Sequence, residues 1–172
     1  MTGAPASGKS ECWQRLQNEP QFDGFLFFEE LARALLREDP AYRTDKDRWH
    51  TEIYRRQVAR EAEASGKPFV TDRGTVDAFA FHPETVSLVH TSIEKEYERY
   101  DRVIQLGSAA RLGETFYRTD TERVETIEEA LVIEEAIRNI WRAHPGYHFV
   151  AASEDNELKY QTLLRTLLSW LA

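Results

Sequence analysis

Residues 3–10 read Gly3-Ala4-Pro5-Ala6-Ser7-Gly8-Lys9-Ser10, a complete G-x-x-x-x-G-K-[ST] phosphate-binding loop. This octapeptide constrains the fold tightly, because such a loop joins a strand to the N-terminus of a helix. Its glycines let the backbone double back and bring N–H groups toward phosphate oxygens. Lys9 supplies a point charge for the β- and γ-phosphates, and Ser10 a hydroxyl for Mg²⁺. A helix that starts near Gly8 aims the positive end of its dipole at the same phosphates. Gly3, Ala4, Pro5, Ala6, Ser7, Gly8, Lys9 and Ser10 are therefore candidate nucleotide contacts.

The rest of the chain alternates short apolar runs with amphipathic segments. Gly24-Phe25-Leu26-Phe27-Phe28, Phe69-Val70-Thr71, Arg102-Val103-Ile104-Gln105-Leu106 and Tyr147-His148-Phe149-Val150-Ala151 read as strands buried on both faces. Helices are expected over 9–17, 29–38, 46–65, 126–143 and 156–171. A brief helical piece is expected over 76–81, and Pro83 opens another helix with Val86, Val89, Ile93 and Tyr97 on one face. The helix at 46–65 should bury Trp49, Ile53, Tyr54, Val58 and Ala62. The one at 126–143 opens with the capping box Thr126-x-x-Glu129 and should bury Ala130, Ile133, Ile137 and Trp141. The alternation predicts an α/β fold: a three-layer P-loop domain with a mostly parallel sheet, one domain over 1–172, with a lid at 107–125.

The first strand is the exception. Only Met1 and Thr2 precede Gly3, so the central strand that normally feeds the loop is expected to be missing. Its absence would leave buried N–H and C=O groups on both neighbours unpaired, at roughly 1–3 kcal/mol each. A handful of these rivals a whole folding stability of roughly 5–15 kcal/mol. The expectation is a natural start several residues upstream, with an open slot and a weak or inactive protein as the alternative.

At 172 residues the chain has enough length for a full core. Its net charge of −8 argues against nonspecific binding to nucleic acid or lipid. It leaves nucleotide binding open, because a loop of N–H groups, a lysine and Mg²⁺ act locally. The single Cys12 permits no internal disulfide. No apolar run is long enough to span a membrane, and no signal-peptide pattern opens the chain. A cytoplasmic protein is expected.

Three segments occur in order: the loop at 3–10, Glu29-Glu30-Leu31-Ala32-Arg33 after the second strand, and Phe69-Val70-Thr71-Asp72-Arg73-Gly74. On those residues the chain resembles the AAA-type ATP-binding proteins related to the nicotinamide-riboside kinase domain, within the P-loop kinase-like NTPases. The resemblance covers nearly the whole chain from Gly3. It implies a site at the C-terminal ends of the strands, where open α/β sheets bind ligands. In that reading Asp72 joins Ser10 in holding Mg²⁺, partly through water. The alternative for Asp72 is a turn or helix cap. Arg73 reaches substrate or phosphate, or else forms a salt bridge. Glu30 takes the proton of a substrate hydroxyl, hydrogen-bonds a sugar, or serves as an ordinary first-turn glutamate. Arg33 pairs with Glu30 or with phosphate. Arg111, Arg118 and Arg123 belong to the lid, with Arg111 on the nucleotide and the other two neutralising the transferring phosphoryl group, unless they are solvated loop charges. Ala151-Ala152-Ser153 lies beside the base or forms a plain loop.

The resemblance implies binding of ATP with Mg²⁺ and transfer of the γ-phosphoryl group to a small nucleoside- or nucleotide-like acceptor. The alternatives are an ATP- or GTP-binding regulatory ATPase without such an acceptor, and a non-catalytic remnant. The expected partners are a nucleotide and a small molecule, not nucleic acid or membrane. Gln105-Leu106-Gly107-Ser108 stands where guanine readers carry Asn-Lys-x-Asp, which favours ATP. His50, His82, His90, His144 and His148 show no metal-ligand spacing. Trp13, Trp49, Trp141 and Trp170 are expected in the core. Phe79 and Phe81 either pack there or face a substrate ring.

Overall fold

The computed structural model describes residues 1–118 and 125–171. Its strands are β1 (Thr2–Gly3), β2 (Leu26–Phe28), β3 (Phe69–Thr71), β4 (Val103–Leu106) and β5 (Tyr147–Val150). Its helices are α1 (Lys9–Leu16), α2 (Leu31–Glu38), α3 (Lys46–Glu63), α4 (Thr75–Phe81), α5 (Thr85–Leu88), α6 (Ile93–Tyr97), α7 (Ile127–Trp141) and α8 (Asn156–Leu171). All ladders are parallel, as short non-alternating apolar strands require. β4 pairs with β5 from Val103↔Tyr147 to Leu106↔Val150, and with β1 at Thr2↔Gln105 and Gly3↔Leu106. β2 pairs with β3 from Leu26↔Phe69 to Phe28↔Thr71.

Met1 joins the two ladders. Its amine donates to the Thr71 carbonyl at 2.7 Å, and its carbonyl accepts from Arg73 N at 2.8 Å. The strands therefore run β2-β3-β1-β4-β5. The expected gap is corrected by this arrangement: a strand of two residues, with Met1 beside it, fills the central slot. The first loop glycine itself serves as a strand residue. Gly3 is required there by close approach, since a Cβ would meet Ser7 Oγ at 2.5 Å and the Leu106 carbonyl at 2.8 Å. Thr2 Oγ1 donates to Asp77 on α4.

Helices cover both faces of the sheet. On one side α1 and α8 bring Cys12, Leu16, Tyr160 and Leu163 against Ile104, Leu106 and Val150. On the other, α4 and α7 bring Val76, Phe79, Ile137 and Trp141 against Val103, with Tyr54 of α3 alongside. Full burial of each such aliphatic or aromatic side chain contributes about 1.5–3 kcal/mol. The three-layer α/β architecture with its parallel sheet is the one expected from the sequence.

Local differences have identifiable causes. The single helix expected after Pro83 is two, α5 and α6. His90 adopts a left-handed φ of 56° between them, and Ser92 Oγ caps α6 by accepting from Lys95 N at 3.3 Å. α7 opens with the expected capping box: Thr126 N donates to Glu129 Oε2 at 2.8 Å and Glu129 N to Thr126 Oγ1 at 3.2 Å. α3 presents a different face from the expected stripe. It buries His50, Gln57 and Glu61, while Ala62 is exposed. Of the tryptophans, Trp141 is fully buried and Trp13, Trp49 and Trp170 are partly so. Among the described residues no helix is long and apolar enough to cross a membrane.

Candidate functional site

The phosphate loop leaves β1, passes Ala6 at φ 57° and Gly8 at φ 71°, and enters α1 at Lys9. Gly8 is needed for its left-handed backbone; Ala6 adopts the same region at a cost, and such strain persists where surrounding contacts over-determine it. Those contacts come from behind the loop. Ser108 Oγ donates to the Pro5 carbonyl at 2.5 Å, and Ala109 N to the Ala6 carbonyl at 3.0 Å. Lys159 Nζ, from the first turn of α8, donates to the Ser7 carbonyl at 2.9 Å. Three successive carbonyls are thus engaged on the protein side. The N–H groups of the first helical turn have no partner within the helix and are free to meet an anion.

Lys9 is 9% exposed and lies between two carboxylates, 3.5 Å from Asp72 and 3.9 Å from Glu30. Glu30 in turn receives Arg73 Nε at 2.6 Å, and Arg73 Nη1 lies 3.7 Å from Asp77. So the sheet's C-terminal edge gathers Lys9, Glu30, Asp72 and Arg73, four of the residues singled out from the sequence, into one chain of alternating charge. Burial pushes the Glu30 carboxyl upward in pKa, but the Arg73 guanidinium and the Lys9 ammonium more than reverse this and bring it to about 2. Arg33 contributes in the same direction from α2, though it is exposed. The alternation keeps Glu30 ionised and holds the Lys9 ammonium between Glu30 and Asp72.

Ser10 Oγ donates to Asp72 Oδ2 at 3.3 Å. Asp72 is 3% exposed, and its other oxygen, Oδ1, makes no hydrogen bond among the described residues. A hydroxyl and a carboxylate with a spare lone pair, beside a polyphosphate cradle, suit a hard cation that keeps several waters. They do not suit a metal held by protein side chains alone. Among the described residues no three His, Cys, Asp or Glu side chains are grouped to hold an ion.

Arg73 takes a left-handed φ of 73°, uncommon for a residue with a side chain. Its surroundings hold it there. Its N–H bonds Met1, its carbonyl accepts from Thr71 Oγ1 at 2.7 Å, and its guanidinium spans Glu30 and Asp77. Thr71 Oγ1 accepts from Gln57 Nε2 at 2.9 Å, and Gln57 also donates to Glu61 Oε1 at 2.5 Å. Arg99 and the Tyr100 hydroxyl complete the Glu61 carboxylate at 2.9 and 2.7 Å. From the same helix, Arg60 Nη1 donates to the Glu29 carbonyl at 2.5 Å, next to Glu30. The buried polar face of α3 therefore sets the ends of β2 and β3 against each other. Beyond Arg73 the guanidinium sits 4.9 Å from the centroid of the Phe81 ring. That ring is 37% exposed and stacks on His50, which stacks on His82. Phe79, by contrast, is buried in the core.

Asp77, Gln57, Arg60 and Lys159 escaped the sequence reading. Asp77 stands five residues after Asp72 at the start of α4, where it also accepts from Gly74 N at 2.8 Å; that spacing was the available signal. The others lie on helix faces that carry no motif. The arginines after β4 are distributed differently from one another. Arg111 Nε donates to Glu134, a buried carboxylate on α7 that also accepts from Ser108 N at 2.5 Å. Arg118 is exposed, and Arg123 lies outside the described residues. The root of the expected lid packs on the loop, with Ala110, Tyr117 and Ala130 against Ala6. Ala151-Ala152-Ser153 passes close behind Gly107, where a Cβ would meet Ala152 N at 2.6 Å.

A family model described as an AAA domain matches residues 1–158. No curated protein gives a match. Two solved structures of deoxyadenosine kinase from M. mycoides resemble this chain. The one with the products dCMP and a flexible dCDP bound has a TM-score of 0.61 at 16% identity, covering 98% of this chain and 99% of that one. The one with bound dCTP has a TM-score of 0.58 at 15% identity, covering 98% of this chain and 100% of that one. At that identity the likeness concerns the fold, and it extends over nearly the whole of both chains. A phosphate-loop motif on a parallel sheet and a family model matching most of the chain lead to one statement: the chain belongs to the AAA domain family.

Proposed function

We propose that this protein binds ATP with Mg²⁺ and transfers the γ-phosphoryl group to a hydroxyl of a small nucleoside-like molecule. The observation that carries the reading is the Glu30–Arg73 pair at 2.6 Å standing beside Lys9. Phosphoryl transfer asks mainly for positioning and charge stabilisation, and a carboxylate next to the phosphate-binding lysine is where an acceptor hydroxyl must be held. A nucleotide switch has no need of it. In this reading Lys9 and the loop N–H groups hold the β- and γ-phosphates. Ser10 and Asp72 hold Mg²⁺, which when bound neutralises charge on the phosphate oxygens. Glu30 accepts a hydrogen bond from the acceptor hydroxyl and receives its proton. The acceptor oxygen bonds to the γ-phosphorus as the bond to the β–γ bridging oxygen breaks, leaving ADP and a phosphorylated acceptor. With Arg73 and Lys9 holding its carboxyl well below the usual glutamate range, Glu30 is a weak base and takes that proton late, once the acceptor oxygen has become acidic. The half-exposed Phe81 ring beside Arg73 supports an acceptor with a flat ring. The deoxyadenosine kinase structures of like fold hold deoxycytidine nucleotides, which supports a nucleoside.

The test is ADP production from Mg-ATP with and without a panel of nucleosides and deoxynucleosides. Acceptor-dependent turnover is expected from the wild type. Lys9→Met should lose nucleotide binding, and Glu30→Gln should lose acceptor turnover by at least a hundredfold while keeping nucleotide affinity. Slow hydrolysis indifferent to every acceptor, and equal in the Glu30 variant, would overturn the proposal.

A further inference from the structure

The ammonium of Lys159 is buried, 7% exposed, and no step of the proposed reaction uses it. It donates to two carbonyls, Ser7 at 2.9 Å and Gly107 at 2.6 Å. Among the described residues it forms no ion pair; the nearby buried carboxylate of Glu134 is already engaged by Ser108 and Arg111. Burial pulls the Lys159 pKa below the ordinary lysine value, with the Cys12 thiol and Glu134 acting the other way. A buried charge without a counter-ion is costly, and a fold keeps one where something else makes use of it.

The use follows from peptide geometry. In a planar trans peptide the C=O of one residue and the N–H of the next point in opposite directions. Fixing the Ser7 carbonyl on the protein side therefore turns the Gly8 N–H the other way, toward the space over the N-terminus of α1. The Ala6 N–H is turned likewise by the bond from Ser108 to Pro5. Ser108 supplies only a hydroxyl for that purpose, whereas Lys159 supplies a full positive charge. An ammonium on the carbonyl oxygen also polarises the peptide, making its N–H a stronger donor.

We propose that Lys159 is a positioning residue of the phosphate loop: it fixes the Ser7–Gly8 peptide with Gly8 N–H facing the bound polyphosphate, and its charge strengthens that contact. The polyphosphate in front offsets the ammonium behind. Nucleotide affinity therefore depends on charge at position 159, and more for a triphosphate than for an uncharged nucleoside. The inference rests on the nucleotide-binding reading above.

The test uses the full chain and Mg-ATP, Mg-ADP and adenosine as probes, with calorimetry for affinity and thermal melting for the fold. Lys159→Arg keeps charge and donors, Lys159→Gln keeps a neutral donor, and Lys159→Met keeps neither. The Gln and Met variants should bind Mg-ATP about ten- to a hundredfold more weakly, the range of a charged hydrogen bond. Mg-ADP should be affected less and adenosine hardly at all. The Arg variant should stay within about threefold of the wild type by the same scale. In ¹⁵N spectra the Gly8 amide should move on adding Mg-ATP to the wild type, and move less in the Gln variant. Wild-type affinity in the Gln variant, or an equal loss for adenosine and ATP, would overturn the inference. Should the Met variant fail to fold, the Gln and Arg variants carry the same comparison. A wild type that binds none of the three probes would instead overturn the nucleotide reading itself.

Discussion

Replacing Glu30 with glutamine keeps the shape of the side chain and removes its charge, and the consequence for stability can be worked out. The Glu30 side chain is 18% exposed and receives Arg73 at 2.6 Å, with Lys9 at 3.9 Å. Burial alone would favour the protonated form; the two cations reverse that and hold the carboxyl at about 2. A group whose folded pKa lies below its unfolded value contributes stability that is complete above the unfolded pKa and lost as pH falls toward the folded one. The window here runs from the ordinary glutamate value of 4.5 down to about 2. Each pH unit in it is worth about 1.36 kcal/mol, and the whole window about 3 kcal/mol. Glu30→Gln should therefore lie about 3 kcal/mol below the wild type at pH 7, with the gap shrinking by about 1.4 kcal/mol per unit below pH 4.5. Urea unfolding followed by tryptophan fluorescence at pH 7, 5, 4 and 3 measures it, provided the slope against urea is the same for both proteins. A gap that stays constant over this range would refute the charge-pairing argument and leave Glu30 as a packing residue.

Two further outcomes are expected. Thr71→Val removes the hydroxyl between Gln57 and the Arg73 carbonyl, costing Gln57 one of its hydrogen bonds and the carbonyl its Thr71 donor, at about 1–3 kcal/mol, while Thr71→Ser restores it; urea midpoints of the three proteins decide this. If the left-handed turn at Arg73 depends on that hydroxyl, Thr71→Val should also lower acceptor turnover more than nucleotide affinity. Gly107→Ala places a Cβ 2.6 Å from Ala152 N, a backbone atom that cannot step aside, and should cost about 1–3 kcal/mol in thermal or urea unfolding. A neutral effect would mean that the loop after β5 yields freely.

The sequence carried the fold at the level of its layers. A phosphate loop announces itself, and runs such as Phe69-Val70-Thr71 have one physical use, a strand covered on both sides. Helix ends were legible where capping chemistry was local, as at Thr126 and Glu129. What stayed hidden was polar burial. Periodicity assigns apolar residues to the core, so α3 was read with Val58 and Ala62 inward, whereas it turns Gln57 and Glu61 to the sheet. Those side chains are buried because they satisfy one another and the ends of β2 and β3, a condition set by residues far away in the chain. Lys159 was invisible for the same reason: its partners lie 152 and 52 residues earlier. The two-residue β1 was read as an absence, because nothing in Met1-Thr2-Gly3 signals a strand until Thr71, Arg73 and β4 are in place to receive it.

The support behind the phosphate loop bears on how the protein is made. The octapeptide at 3–10 leaves the ribosome before the residues that back it, Ser108 and, last, Lys159. At roughly 5–20 residues per second, the intervening chain takes on the order of ten to thirty seconds to synthesise. Throughout that interval the Ser7–Gly8 peptide lacks the charge that fixes it in the finished fold. In the proposed reading, a nucleotide favours the native state fully only after α8 has emerged and closed beneath the loop.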